Sequence, residues 1–76
     1  MTVTHSFSIV LEPQDGGGFT VLVPALPEVV TEGDTEAEAI ANAEEAIGAV
    51  LAYRRDQGIS IPPDARPEIR RVTVAA

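Results

Sequence analysis

The chain has 76 residues, the length of one small domain, and contains no cysteine and a single histidine, which excludes disulfides and cysteine- or histidine-rich metal clusters. Its net charge of −7 gives a surface that repels phosphate, so direct nucleic-acid binding is not expected. No stretch approaches the ~20 apolar residues that span a bilayer, and the first residues lack the basic region of a signal peptide, so we expect a cytoplasmic protein with no membrane contact.

Two strands joined by a turn are predicted first. Residues 3–11 alternate between apolar and polar positions, as a half-buried strand does, with one side formed by Val3, His5, Phe7, Ile9 and Leu11. Residues 13–18 combine an Asp-Gly step with two further glycines, which is typical of a hairpin turn because such turns need positive φ. The second strand is predicted over residues 19–23, and Pro24 ends it because proline cannot donate to a ladder.

A short third strand and a long helix follow. The strand is predicted over residues 28–32, and Gly33 closes it. Asp34 and Thr35 open the helix, and Thr35 with Glu38 forms a capping box. One apolar helix face comprises Ile40, Ala43, Ile47, Val50 and Leu51. The opposite face of the helix carries small side chains, those of Ala41, Gly48, Ala49 and Ala52. They could form a close-packing surface for a second chain, but the favoured interpretation is that alanine is simply a good helix former.

The last predicted element is a C-terminal strand over residues 68–74, in which Arg70 and Arg71 indicate an edge or interface position. The predicted order is therefore β-β-β-α-β. The simplest architecture is an α+β fold in which one long helix packs on a three-stranded antiparallel sheet, with the further strand at the C-terminus. We expect residues 1–76 to form a single domain.

No residue pattern predicts catalysis. A two-metal nuclease needs several converging carboxylates, whereas Glu12 and Asp15 lie at a turn and Asp34 is explained by helix capping. His5 is the one candidate general base, and it lies near a chain end without a recognisable nucleophile. We therefore expect no catalytic residue, no metal and no cofactor.

The charges are unevenly distributed along the chain. Residues 1–53 hold nine acidic residues and no basic one, and all five arginines lie between Arg54 and Arg71. An acidic surface attracts a basic partner, although charge alone more often serves solubility. The arginines could contact nucleic acid, but pairing with the acidic face of a neighbouring subunit is favoured because the rest of the chain would repel phosphate.

Several short motifs occur in a characteristic order between residues 7 and 61: Gly17-Gly18-Phe19-Thr20-Val21, Val23-Pro24-Ala25-Leu26-Pro27, Thr31-Glu32-Gly33-Asp34-Thr35, Glu38-Ala39, Ala43-x-x-Ala46-Ile47 and Ile61-Pro62. In this order and spacing the chain resembles the HicB-like antitoxin family. The resemblance implies a partial ribonuclease-H-like fold and binding to a small, basic, HicA-type toxin that cleaves mRNA. Longer members carry an appended DNA-binding domain, and we expect the single-domain form here.

The chain departs from the family pattern at one loop. It has Leu26-Pro27-Glu28-Val29 where the family usually has Leu-Pro-Gly-Cys, and Ala25 where an acidic residue is common. Because Glu28 adopts positive φ less readily than glycine, this turn is expected to differ.

The expected function is therefore that of a non-catalytic antitoxin that occludes its toxin. The alternative is an oligomeric binding or assembly module of the same fold without a toxin.

Homo-oligomerisation, as a dimer or else a tetramer, is expected because a small sheet with exposed edges and a thin core gains stability by pairing. The expected toxin-binding residues are acidic: Glu32, Asp34, Glu36, Glu38, Glu44 and Glu45. The structural motif residues are Gly17, Gly18, Pro24, Pro27, Gly33, Asp34 and Thr35.

Overall fold

The computed structural model describes residues 3–76 as a three-stranded sheet packed against one helix. Strand β1 spans Val10–Pro13, β2 spans Phe19–Leu22, β3 spans Val30–Gly33, and helix α1 spans Glu36–Asp56. The sheet is antiparallel and its strand order is β1-β2-β3. The predicted α+β fold is confirmed, with the three strands and the helix in the predicted order.

The two faces of the sheet have different environments. Leu11, Val21 and Thr31 lie opposite one another across the three strands, and this side faces α1, since Val21 packs against two alanines of the helix. Because successive side chains alternate between faces, Val10, Leu22 and Val30 lie on the other side. Neither α1 nor another strand of the described chain packs on that side, where Val30 is 60% exposed and Val10 and Leu22 are half-buried.

The predicted hairpin turn is confirmed. Gln14 N donates to Gly18 O at 3.0 Å and Gly17 N donates to Gln14 O at 3.1 Å. Gly17 and Gly18 adopt φ of 104° and 85°, a region that residues with a Cβ rarely occupy.

Strand β1 is shorter at its N-terminal end than the alternating pattern predicts. Residues 3–9 form no strand, although Phe7 and Ile9 do pack on the core as the alternation requires. The register that pairs Val10 with Leu22 would place Ser8 opposite Pro24. Proline lacks the N–H that a ladder needs, so the pairing stops before that point.

The core consists of two adjoining clusters. In the first, Val21 packs against Ala39 and Ala43, which are fully buried and bring α1 close to the sheet. The second is built around the buried residues of the β2–β3 connection, and α1 contributes apolar side chains from its second half. Its members are Val23, Leu26 and Val29, with Phe7, Ile9, Ala46, Ile47, Val50 and Leu51 packed around them.

Both ends of α1 are capped. Thr35 Oγ1 accepts a hydrogen bond from Glu38 N at 3.1 Å, as predicted, and Glu38 Oε1 accepts from Asp34 N at 3.3 Å. At the other end Gly58 adopts φ of 69°, its N–H donates to Arg55 O, and Ile59 N donates to Arg54 O. This pair of bonds is a Schellman motif, which satisfies the last carbonyls of the helix.

The Leu26-Pro27-Glu28-Val29 turn, which departs from the family pattern, has a backbone conformation that needs no glycine. Val29 N donates to Leu26 O at 2.9 Å, and no residue other than glycine has positive φ among residues 3–76. Glu28 accepts a hydrogen bond from Arg54 Nη2 at 2.8 Å. Val29 is buried in the second core cluster. Glu28 thus ties the loop to the end of α1, and β3 begins at Val30 rather than at residue 28.

The predicted C-terminal strand over residues 68–74 is not confirmed. These residues form no strand or helix in the structure, and all of them are exposed. The physical reason is that a strand needs a partner edge, and residues 68–74 pair with neither β1 nor β3 of their own chain.

The segment after α1 is nevertheless held in place as far as Asp64. Its carboxylate accepts hydrogen bonds from Ser8 N and Ser8 Oγ, each at 2.8 Å. Within residues 3–76, no helix combines the length and apolar character needed to cross a membrane.

Candidate protein-binding surface

An acidic cleft lies where the hairpin turn meets the start of α1. Its volume is about 380 Å³. Three carboxylate residues lie along it, together with glycine backbone and a few uncharged side chains. The residues that line this acidic cleft are Gln14, Gly17, Gly18, Phe19, Glu32, Gly33, Asp34, Glu38 and Asn42.

Two glycines allow the hairpin turn, the end of β3 and the start of α1 to come close together. A Cβ on Gly33 would lie 2.4 Å from Ala39 N, so the end of β3 approaches the first turn of α1 more closely than any side chain allows. A Cβ on Gly18 would lie 3.1 Å from Gly33 O, and Gly18 itself has positive φ. Turn, strand end and helix start are therefore packed backbone against backbone, which gives the acidic cleft a rigid base.

Hydrogen bonds fix the polar groups around the acidic cleft. Asn42 Nδ2 donates to Glu32 O at 2.8 Å, joining α1 to β3. Glu38 is held through its bond to Asp34 N. No ion pair within the described range engages the carboxylates of Glu32, Asp34 or Glu38. These three negative charges are therefore exposed and available to a cationic partner.

The six acidic residues predicted to bind a partner lie in different parts of the structure. Glu32, Asp34 and Glu38 line the acidic cleft. Glu44 lines a separate groove on another side of α1. Glu36 and Glu45 are exposed on the helix outside both cavities. Glu32, Asp34 and Glu38 therefore share one cavity, and binding of a partner by all six residues stays a prediction.

The uncovered sheet face adjoins the acidic cleft and carries two parallel rows of side chains. Glu12, Thr20 and Glu32 are aligned across the three strands and form the first row. The second row is apolar and comprises Val10, Leu22 and Val30. An apolar centre beside a charged border is the usual composition of a protein interface.

Thr20, Val30 and Asn42 also lie on this candidate surface, which the sequence patterns do not predict. The predicted third strand contains Val30 without indicating which face it occupies, and an asparagine inside a helix is only mildly unusual. Strand register, which brings Glu12 and Glu32 into one row, depends on pairing between distant segments.

A second cavity, the apolar groove, lies between residues 5–9 and α1. Its volume is about 340 Å³. The rings of His5 and Phe7 stack at its N-terminal side, with centroids 6.4 Å apart. The residues that line the apolar groove are His5, Phe7, Ile9, Ile40, Ala43, Glu44, Ile47 and Gly48.

The candidate catalytic groups are dispersed. Among residues 3–76, no three His, Cys, Asp or Glu side chains lie close enough together to hold a metal ion. Glu12 lies on the uncovered sheet face, Asp15 lies in the hairpin turn, and His5 is exposed at the apolar groove.

Two of the five arginines are held by carboxylates. Arg54 bonds to Glu28 Oε2 at 2.8 Å and to Ser60 O at 3.0 Å. The hydrogen bond from Arg54 holds the pKa of Glu28 below its usual range. Arg70 pairs with Glu68, two residues away, at 2.7 Å. Arg54 thus stabilises the loop before β3, whereas Arg70 is paired only locally.

Comparison with known proteins gives consistent results. Residues 7–73 match the family described as "HicB_like antitoxin of bacterial toxin-antitoxin system". The UPF0150 protein Ta0767 of Thermoplasma acidophilum is 35% identical over 63 residues, which is 83% of this chain and 91% of that protein. Antitoxin HicB 1 of Photorhabdus laumondii is 34% identical over 56 residues, 74% of this chain. The matched region spans 36% of that longer antitoxin.

Proposed function

The chain belongs to the HicB-like antitoxin family of bacterial toxin–antitoxin systems, and from this we propose that it inhibits a small, basic, HicA-type ribonuclease toxin by binding over the toxin's RNA-binding surface. Family membership supports an antitoxin role and implies a toxin partner. Because antitoxins act by binding, it also suggests a non-catalytic role. The mechanism would be steric and electrostatic occlusion.

The observation that carries this proposal is the acidic cleft. Glu32, Asp34 and Glu38 present three carboxylates that have no ion-pair partner among residues 3–76, on a base fixed by glycine contacts. A protein that binds RNA exposes a basic surface, and a rigid negative site is complementary to it. Little backbone conformational entropy would be lost on binding, because close glycine contacts already fix the backbone around the acidic cleft.

The uncovered sheet face would supply the apolar part of the contact. Val10, Leu22 and Val30 form its row next to Glu12 and Glu32. Burial of apolar area gives affinity, whereas the charges at its border mainly give specificity and a faster encounter. The acidic charge over residues 1–53 would further steer a basic toxin toward this side.

Charge reversal tests the proposed surface directly. In Glu32 and Asp34 the side-chain carboxylates make no hydrogen bond or ion pair in the described structure, so Glu32→Lys with Asp34→Lys should leave the fold intact. A matched control is Asp56→Lys with Glu68→Lys, which makes the same change in net charge at exposed positions that lie outside the acidic cleft and outside the expected toxin-binding set. The proposal requires a small basic toxin encoded in a neighbouring reading frame, and affinity for that toxin is measured by titration calorimetry.

We expect the acidic-cleft pair to weaken binding at least about tenfold, equivalent to ~1.4 kcal/mol, and the control pair to have a clearly smaller effect. The circular dichroism spectra of both variants should match that of the unmodified protein. Equal losses in the two pairs would show that only net charge matters, and would remove the acidic cleft from the interface.

The second candidate is an oligomeric assembly module of the same fold that has no toxin. It is favoured by the exposed apolar side chains near the C-terminus, which suit contact between copies. The neighbouring reading frame separates the two candidates, because the antitoxin requires a small basic partner and the assembly module does not.

A further inference from the structure

The C-terminal arm, defined as residues 66–76, extends away from the rest of the molecule. The Cα radius of gyration is 14.8 Å and the longest dimension is 52 Å, against 27 and 18 Å in the other directions. A compact chain of this length would have a radius of gyration of about 11 Å. Every residue of the arm is exposed, and its one ion pair joins Arg70 to Glu68 within the arm itself.

The C-terminal arm nevertheless carries three large apolar residues. Ile69, Val72 and Val74 are 93%, 81% and 80% exposed. In an extended backbone Val72 and Val74 lie on the same side, because side chains alternate. Large apolar residues clustered in one fully exposed segment indicate a surface that is covered by a partner.

The apolar groove offers a complementary surface. Phe7 and Ile9 form one wall and Ile40 and Ile47 form the other, and no residue of the arm in the same chain lines it. Gly48 leaves it open, since a Cβ there would meet no side chain of residues 3–76 within 4 Å beyond its chain neighbours. Residues 3–9 run along this groove and belong to no strand, so their backbone is free to accept an added strand apart from Ser8 N, which bonds to Asp64.

The charges of the two surfaces are also complementary. The C-terminal arm holds three arginines and one glutamate, whereas residues 3–65 hold eleven acidic residues and two arginines. Glu44 lies at the apolar groove itself. An arginine-bearing apolar strand is therefore attracted to this groove both by charge and by apolar burial.

We propose that the C-terminal arm of one copy docks in the apolar groove of a second copy, with Val72 and Val74 inserted, and that the exchange is reciprocal. Reciprocal exchange gives a closed two-fold dimer, in which each contact occurs twice. The arm of eleven residues reaches about 36 Å when extended, which is enough to cross onto a neighbouring molecule. The dimer would supply the apolar burial that a chain of this size lacks by itself. This inference does not depend on toxin binding.

Cysteine cross-linking tests the exchange cleanly, because the natural chain has no cysteine. Two differently tagged variants, Val74→Cys and Gly48→Cys, are mixed and mildly oxidised. We expect a disulfide-linked pair that contains both tags. Asp15→Cys in the exposed hairpin turn replaces Gly48→Cys as the control and should give little cross-linking. Equal yields with Gly48→Cys and Asp15→Cys, or no mixed pair, would overturn the proposal.

A chain that carries both Val74→Cys and Gly48→Cys distinguishes exchange from folding back. Exchange gives a covalent dimer after oxidation, whereas a covalently closed monomer would show that the arm docks on its own chain and would contradict the proposal. A second measurement uses sedimentation of Val72→Asp with Val74→Asp, which should convert the dimer to monomer. Thr73→Asp, one position between them on the other side of the strand, should leave the dimer intact.

Discussion

At the scale of single residues, Gly33 and Gly48 have opposite surroundings. Gly33 is buried at the end of β3, and a Cβ there would lie 2.4 Å from Ala39 N and 2.7 Å from Ala39 Cα. Gly48 is exposed in the middle of α1, and among residues 3–76 a Cβ there would meet no atom within 4 Å apart from its chain neighbours and the adjoining helix backbone. We expect Gly33→Ala to lower the free energy of unfolding by roughly 1–3 kcal/mol, because backbone must move to admit the methyl group.

Gly48→Ala is the matched control for that substitution. It adds the same methyl group in open space and replaces a poor helix former with the best one, so it should raise the free energy of unfolding by about 1 kcal/mol. Urea denaturation of the three proteins measures both changes. A Gly33→Ala protein as stable as the parent would show that β3 and α1 are not in close backbone contact.

Thr31 has an unusual buried hydroxyl. Its Oγ1 atom has no hydrogen-bond partner among residues 3–76, and its strand position faces α1 beside Val21. Burying an unpaired hydroxyl is unfavourable, so Thr31→Val, which keeps the shape, should raise the free energy of unfolding by about 1 kcal/mol. Thr73→Val in the exposed arm is the control and should change stability little. A destabilised Thr31→Val protein would mean that the hydroxyl has a partner.

At the scale of elements, the elements predicted best are those whose sequence determinants are local. The hairpin turn and α1 appear where the glycines, the Thr35 cap and Gly58 place them. The N-terminal extent of β1 and the C-terminal strand depend instead on partners far along the chain. Pro24 removes the partner of residue 8, and residues 68–74 find no edge within their own chain. An alternating pattern in one segment does not show whether a second segment lies beside it to form the strand pairing.

The segment after α1 is fastened to residues 3–9 by a pH-dependent contact. Hydrogen bonds from the Ser8 backbone N–H and from the Ser8 hydroxyl hold the pKa of Asp64 below its usual 3.8. A carboxyl whose pKa is lower in the folded state stabilises the fold at pH values above its unfolded pKa. That contribution is lost as pH falls through the folded pKa.

We therefore expect Asp64→Asn to be less stable than the parent at neutral pH. The difference should shrink as pH is lowered below about 3.8, since the parent's carboxyl then becomes protonated as well. Thermal unfolding of both proteins between pH 7 and pH 2.5 measures this. A difference that stays constant over that range would show that the ionised carboxylate does not make the contact.

At the scale of the whole molecule, the sequence indicates that the candidate binding surface is acidic but not where in the fold it lies. Six acidic residues were expected to act together, and the fold brings three of them to the acidic cleft while Glu44 lies in the apolar groove. Spacing along α1 determines which side of the helix a carboxylate occupies. It does not reveal that the hairpin turn packs beside Gly33, and that tertiary contact is what forms the acidic cleft.

The proposed toxin contact and the proposed contact with a second copy involve different surfaces of the molecule. The acidic cleft and the uncovered sheet face would serve a basic partner, whereas the apolar groove would receive the arm of a second copy. Because the two cavities are lined by different residues, dimer formation and toxin binding could occur at the same time. Variants at Val72 and Val74 should therefore alter assembly without lowering the affinity of each copy for its toxin.

The most direct measurement of the central claim is toxin inhibition. The small basic toxin that the proposal requires, encoded in a neighbouring reading frame, would be purified, and its cleavage of RNA followed while this protein is added at 50, 150 and 500 mM salt. We expect cleavage to stop near one copy per toxin at low salt and to return as salt screens the acidic cleft. Undiminished cleavage at every salt concentration, with the protein folded and in excess, would contradict the antitoxin mechanism proposed for this chain.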